Sequence, residues 1–196
     1  MNRDKFISSI KSNIFHIATQ SIIDGCFFLI DEANRFGVDD QRMQAYILAT
    51  AYWETGKTMQ PVRENGRGEG MAYGKKLKQD RTPYTLPDKI YYGRGYSQTT
   101  WYDNYLMLTH QSYAKQKGWD FLNNPELLLL PEPSAWATIH CMWHGYYTGA
   151  SLLKYFHDGV CDWFNARRII NGLDQAAVIA GIAQHFYGAL QIATAS

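Results

Sequence analysis

Along most of the chain, apolar residues recur at steps of three and four, the spacing that lines one face of an α-helix. Phe6, Ile10 and Ile14, with Ile7 beside them, predict a short first helix. Ile23, Phe27, Ile30 and Ala33 predict a second from about Thr19 to Phe36. Asp39 and Asp40 offer an N-cap for a third, whose stripe of Met43, Ile47, Thr50 and Ala51 reaches Glu54 before Gly56 supplies a helix stop. Further on, Trp101, Tyr105 and Leu108 favour helix within 97–117, and 123–126 begins a turn backed by Leu127 to Leu130. Pro131 and Pro133 are expected to break the chain ahead of a long helix, Ser134 to about Tyr147, with Trp136, Ile139, His140, Trp143 and Tyr147 facing the core. Residues 160–170 are read as another helix, and Asp174 as the cap of a last one with the stripe Val178, Ile182, His185, Phe186 and Leu190. No alternating β-branched run is long enough for a real sheet, and no internal repeat is present. The fold class this implies is mainly α, with at most a small β-hairpin.

One stretch breaks the helical pattern. Residues 57–95 hold six of the sixteen glycines and three of the six prolines, with little apolar periodicity. So long an irregular connection suggests a lid or cleft wall, interrupted by a short helix or hairpin around Met71 to Gln79. It also concentrates charge: nine Lys/Arg against four Asp/Glu, a net of +5, while the rest of the chain carries ten against fourteen, a net of −4. A basic loop on a near-neutral protein points to an anionic substrate surface. The overall net charge of +1 argues against a nucleic-acid binder. At 196 residues and 46% hydrophobic content, the expectation is a single domain, 1–196, with 57–95 as its loop-rich wall.

Cys26, Cys141 and Cys161 are odd in number and lack a Cys-x-x-Cys spacing, as expected of free thiols in a reducing compartment. The charged, amphipathic N-terminus has no apolar signal-peptide core, and no stable membrane insertion is expected. His140 and His144 stand one helical turn apart, but Cys141 follows where a zinc-protease motif has Glu, so no metal and no cofactor are expected.

The candidate chemistry lies at 51–64. Glu54 falls on the inward stripe in the last turn of the third helix, where burial and the negative helix end both disfavour an ionised carboxyl, so it is expected to keep its proton and act as a general acid. Glu64, in the loop that follows, offers a solvated carboxylate that can act as a base. Glu69 and Asp103 are rivals for that second role.

At Tyr91-Tyr92-Gly93-Arg94-Gly95-Tyr96-Ser97-Gln98-Thr99-Thr100-Trp101-Tyr102-Asp103-Asn104-Tyr105 the chain resembles the most distinctive segment of glycoside hydrolase family 19, the chitinases and related phage endolysins with a lysozyme-like fold. Other blocks follow in the family's order: Trp53-Glu54-Thr55-Gly56, Val62-Arg63-Glu64, Leu122 to Leu127, and Arg168-Ile169-Ile170-Asn171-Gly172. The resemblance spans about 45 to 190. It implies two helical lobes around a substrate cleft, with Glu54 as the acid that protonates the glycosidic oxygen and Glu64 as the base that activates water. Thr100 stands where the chitinases carry a Ser that holds that water. Tyr91, Gln98, Asn104 and Asn171 match positions lining the sugar cleft. An inverting single displacement follows, for which Glu54 and Glu64 should flank a groove with room for water, about 6.5–9.5 Å apart.

The sequence also departs from the family. Trp53 replaces a His before the acid, Tyr96-Ser97 a Pro-Ile pair, Asp103 an aromatic, and Leu173 a Gly; the cysteine pairs of secreted plant chitinases have no counterpart. With the basic loop and the absent signal peptide, these changes favour an endolysin made in a bacterial host's cytoplasm. It would be released at lysis and act, as a monomer, on peptidoglycan glycan strands as a muramidase. A chitinase, or a non-catalytic wall-binding module, is the alternative.

Overall fold

The computed structural model describes residues 1–195. In chain order its elements are α1 (Arg3–Asn13), α2 (Gln20–Arg35), α3 (Gln41–Glu54), β1 (Val62–Arg63), β2 (Arg94–Gly95), α4 (Tyr102–His110), α5 (Ser112–Lys117), α6 (Pro131–His144), α7 (Leu152–Tyr155), β3 (Phe156–His157), β4 (Val160–Cys161) and α8 (Ala176–Thr194). Single 3-10 turns lie at Tyr73–Lys75, Pro125–Leu129 and Asn165–Ile169. The class is mainly α, as expected, and the named sheets among the described residues are two antiparallel pairs, β1 with β2 and β3 with β4. The chain divides into two compact units, Met1–Met59 with Ile139–Ser196, and Gln60–Thr138.

The first unit is built on α3. Every residue from Met43 to Tyr52 is buried, the signature of a helix with neighbours on all sides, and α2 and α8 pack against it. Of the predicted pair Asp39 and Asp40 it is Asp40 that caps α3, its side chain accepting from Arg42 N–H, and Thr19 caps α2 in the same way by accepting from Ile22 N–H. Phe6 meets Phe27, and Phe15 and Phe186 both meet Tyr52, which ties α1 and α8 to the centre. The end of α3 is a Schellman turn: Lys57 N–H donates to the Tyr52 carbonyl at 2.7 Å and Gly56 N–H to Trp53 at 3.2 Å, with Gly56 at φ +59.

Three expectations for this unit fail. Residues 160–170 form no α-helix; their start belongs to the β3–β4 hairpin and their end to the 3-10 turn at Asn165–Ile169. On α8, Val178 is 48% exposed and His185 is exposed, while the buried stripe is Ala176, Ile179, Ala183, Phe186, Ala189, Leu190 and Ala193. The helix is apolar nearly all round, so periodicity did not set its phase, and small alanines carry the face toward α1 and α3. Gln175, in a left-handed conformation and making no side-chain cap bond, occupies the capping position in place of Asp174. By length and composition α8 could cross a membrane, although its buried face gives those apolar residues a role in the core. On α6, the His140 and His144 rings meet edge-on at 4.6 Å, and Tyr146 lies 5.2 and 5.3 Å from them.

The second unit centres on a buried arginine. Arg94, 3% exposed, donates to Glu126 at 3.0 Å, to the Ile90 and Tyr92 carbonyls and to Tyr105 Oη, and its guanidinium lies 3.5 Å from the centre of the Tyr92 ring. The same carboxylate takes Arg63 at 2.5 Å. Desolvation opposes its charge, but the hydrogen bonds from Arg63 and Arg94 outweigh that and hold the Glu126 carboxyl below its ordinary range. β1 and β2 pair Val62 with Gly95 and Arg63 with Arg94. A cluster of Tyr84, Tyr91, Tyr102 and Tyr105 fills one part of the unit, and Phe121 stacks on Trp136 in another. The helix predicted within 97–117 is broken at Gln111, whose extended ψ of 141 separates α4 from α5. Pro131 opens α6 instead of breaking the chain, because proline at a helix's first position lacks only an N–H that would be orphaned there.

Candidate active site

Glu54 is the last residue of α3, put there by the Schellman turn that reverses the chain behind it. Its side chain is 16% exposed, and Oε1 accepts from Arg167 Nη1 at 2.7 Å. The apolar seat expected for this carboxyl is therefore replaced by a hydrogen bond from the Arg167 guanidinium. Arg167, itself 5% exposed at the side chain, comes from the 3-10 turn Asn165–Ile169, and its Nε donates to the Asp174 carbonyl. A polar line runs beneath the pair: Tyr46 and Thr50 precede Glu54 by two turns and one, and neither hydroxyl has a hydrogen-bond partner among the described residues. Burial pushes the Tyr46 phenol well up, with Arg167 close enough to pull it back. Asn171 is tied to the same turn through its N–H, which donates to the Arg167 carbonyl at 3.1 Å; its own side chain is exposed and accepts from Gly172 N–H.

Glu64 follows β1, and both its carboxylate oxygens are held. Oε1 accepts from Tyr73 Oη at 2.7 Å and Oε2 from Gly93 N–H at 2.8 Å, while Glu64 N–H returns a bond to the Gly93 carbonyl at 2.8 Å. Burial first, then the hydrogen bond to Glu64, pushes the Tyr73 phenol up, so it remains a donor. Space at Gly93 is tight: a Cβ there would stand 2.8 Å from Gln98 Oε1, so the Gln98 amide would have to swing aside, and 3.4 Å from Glu64 Cβ.

The segment 98–104 continues from this seat as a chain of hydrogen bonds. Gln98, at φ +53, spends its amide nitrogen on the Val62 and Gly95 carbonyls. Thr100 Oγ1 donates to the Gln98 carbonyl at 2.8 Å, which leaves its lone pairs to accept from water. Asn104 Nδ2 donates to the Thr100 carbonyl at 2.7 Å. Tyr91 is fully buried, its hydroxyl donating to the Leu122 carbonyl. Of the rival acids, Glu69 is exposed, and Asp103 accepts from Gln79 N–H at 2.8 Å as a loop tether.

The second unit thus brings Glu64, Gln98, Thr100 and Asn104 into one network, with Tyr91 below it; the first brings Glu54 and Asn171 to Arg167. Arg167 and Tyr73 are the residues that sequence reasoning missed. Arg167 sits just ahead of the Arg168-Ile169-Ile170-Asn171-Gly172 block, which was the available signal, and Tyr73 is a lone aromatic among glycines.

No protein-family model and no curated protein matches the sequence. Solved structures do match the fold. The crystal structure of chitinase C from Streptomyces griseus HUT6037 is 20% identical and superposes with a TM-score of 0.56, covering 100% of this chain and 93% of that one. The crystal structure of a mutant of chitinase C gives 18% identity and a TM-score of 0.53 over the same shares of 100% and 93%. The chain has the mainly helical, lysozyme-like fold that these chitinase structures share.

Proposed function

We propose that this protein is a glycoside hydrolase that cleaves the β-1,4 bond between N-acetylmuramic acid and N-acetylglucosamine in peptidoglycan, an endolysin-type muramidase working with inversion. Glu54 gives its proton to the glycosidic oxygen as the bond to the anomeric carbon breaks. Glu64 takes a proton from the water that attacks that carbon from the opposite face, and Thr100 helps hold the water. Arg167 steadies the negative charge that appears on Glu54 as its proton leaves.

The observation that carries this reading is the seat of Glu64, where a phenol and a backbone N–H fix the two carboxylate oxygens. A base must be aimed before the reaction, and neither Glu69 nor Asp103 has comparable support for that task. The ordered resemblance of five sequence blocks and the fold shared with chitinase C support a glycosidase. The basic loop supports an anionic glycan as substrate. In this reading the protein is made in a bacterial cytoplasm, reaches the wall at lysis, works as a monomer and needs no cofactor.

The fold shared with chitinase C favours a second reading, hydrolysis of neutral N-acetylglucosamine polymer. Mass spectrometry of digested sacculi separates the possibilities. New reducing ends on muramic acid are expected. Reducing ends on glucosamine, released peptides, or turnover of chitin oligomers alone would overturn the muramidase assignment.

A further inference from the structure

The loop between β1 and β2 seats two cations on aromatic rings. Its residues 78–82 form a tight turn in which Arg81 N–H donates to the Lys78 carbonyl at 3.0 Å and Lys78 N–H to the Thr82 carbonyl at 2.9 Å. From this turn the Arg81 guanidinium lies 5.0 Å from the centre of the Trp101 ring, and the Lys78 ammonium 5.3 Å from that of Tyr102. Both rings are half-buried and Arg81 is exposed. Neither cation has a carboxylate within 4.0 Å among the described residues. The acids of the neighbourhood are engaged with other donors. Asp80 accepts from Thr82 N–H and Oγ1, Asp103 from Gln79 N–H, and Asp88 pairs with Lys76.

The backbone adds a second observation. Arg81 and Trp101 adopt positive φ, +71 and +76, and neither is glycine. Left-handed backbone strains any residue that carries a Cβ, and strain of this kind gathers where a side chain must be presented in one orientation. Here the strained arginine rests on the strained tryptophan. Trp101 in turn meets the Tyr73 ring edge-on at 5.2 Å, and Tyr73 is the phenol bonded to Glu64. The cationic platform is therefore one aromatic ring removed from the proposed base.

A guanidinium lying over an indole is held by cation–π attraction and partly desolvated, yet its N–H fork stays open at the edge. That fork matches a carboxylate with two parallel hydrogen bonds, and Lys78 adds a point charge beside it. We propose that Arg81 on Trp101, flanked by Lys78 on Tyr102, is a carboxylate-binding subsite that selects glycan strands whose sugars carry an acid. The choice of glycan rests on the hydrolase reading above. On peptidoglycan the carboxylate is supplied by the lactyl group of a muramyl sugar that carries no peptide, or by the free carboxyls of the stem peptide where one is attached. Neutral N-acetylglucosamine polymer supplies none.

The test measures binding with cleavage silenced. Glu54→Gln protein, and the same protein with Arg81→Gln or Arg81→Lys, is co-sedimented with four materials: intact sacculi, glycan strands stripped of peptides by an amidase, sacculi whose carboxyls have been converted to amides, and chitin. The expected result is about a 10-fold weaker affinity for carboxylate-bearing material in the Arg81→Gln protein, with Arg81→Lys intermediate. On amidated sacculi and chitin the three proteins should bind alike. A loss on stripped strands identifies the lactyl group, and a loss confined to intact sacculi identifies the stem peptide; either supports the subsite. Failure of the Glu54→Gln protein to bind intact sacculi, no effect of Arg81→Gln there, or an equal loss on chitin would overturn it. Wild-type cleavage is scored separately. Arg81-dependent binding without cleavage would remove the proposed reaction and keep the subsite, and cleavage without Arg81 dependence would do the reverse.

Discussion

Arg167 Nη1 donates to Glu54 Oε1 at 2.7 Å, joining a 3-10 turn late in the chain to the end of the central helix 113 positions earlier. In the proposed mechanism the guanidinium fixes the rotamer of Glu54 and stabilises its conjugate base, so it should act mainly in the transition state. Arg167→Gln is expected to lower kcat on sacculi about 10- to 100-fold with KM nearly unchanged, and Arg167→Lys to recover part of the loss. Glu54→Gln should abolish turnover while sacculus binding persists. Steady-state kinetics on purified sacculi check all three variants.

Glu64 depends on two donors that differ in how replaceable they are. Tyr73→Phe removes one hydrogen bond and leaves the ring on Trp101, so kcat should fall by roughly 3- to 10-fold. Gly93→Ala puts a Cβ 2.8 Å from Gln98 Oε1 and in contact with Glu64 Cβ, so the Gln98 amide must leave its place beside the carboxylate's seat. A loss above about 10-fold is expected there, because disturbing the groups that aim a reacting carboxylate costs more than weakening one bond to it. Equal losses in the two variants would show that the Gly93 contact is not what positions the carboxylate.

What could be read from the sequence divides along physical lines. The first three helices, the Asp40 cap and the Gly56 stop were legible because each rests on neighbours within one or two turns. The phase of α8 was not, since a helix apolar nearly all round gives periodicity little contrast. Pro131 was misread because the same residue that breaks a helix interior starts one well. Glu54 and Glu64 were singled out as candidates from local pattern and resemblance, but the groups that hold them were hidden. Arg167 is 113 positions from Glu54, and Gly93 is 29 from Glu64, distances over which spacing carries no information. The expected apolar seat of Glu54 failed for that reason: its stripe marks the inward face of α3 and says nothing of a buried arginine arriving from elsewhere.

The second unit should depend on the clamp between Arg94 and Glu126. Arg94 is 3% exposed, so deleting its carboxylate partner leaves a buried charge with only neutral acceptors around it. Glu126→Ala is expected to lower stability by about 2–3 kcal/mol. Arg63 binds the same carboxylate from a half-open position, and Arg63→Ala should cost under about 1 kcal/mol. Urea unfolding followed by tryptophan fluorescence gives both values.

His140 supplies a pH dependence whose sign is fixed by its surroundings. Burial, and then the neighbouring His144, lower its pKa to about 4 from an ordinary 6.5. Below pH 6.5 the unfolded chain takes up a proton that the folded chain refuses until about pH 4, so stability falls as the pH drops through that window and changes no further from this group below it. The side chain is only partly buried, and after solvent screening the effect should be ~1–2 kcal/mol. His140→Gln removes the titration, so its melting temperature should fall less than that of the wild type between pH 6.5 and pH 4. Parallel curves for the two proteins over that range would show that the His140 and His144 pair does not couple protonation to folding.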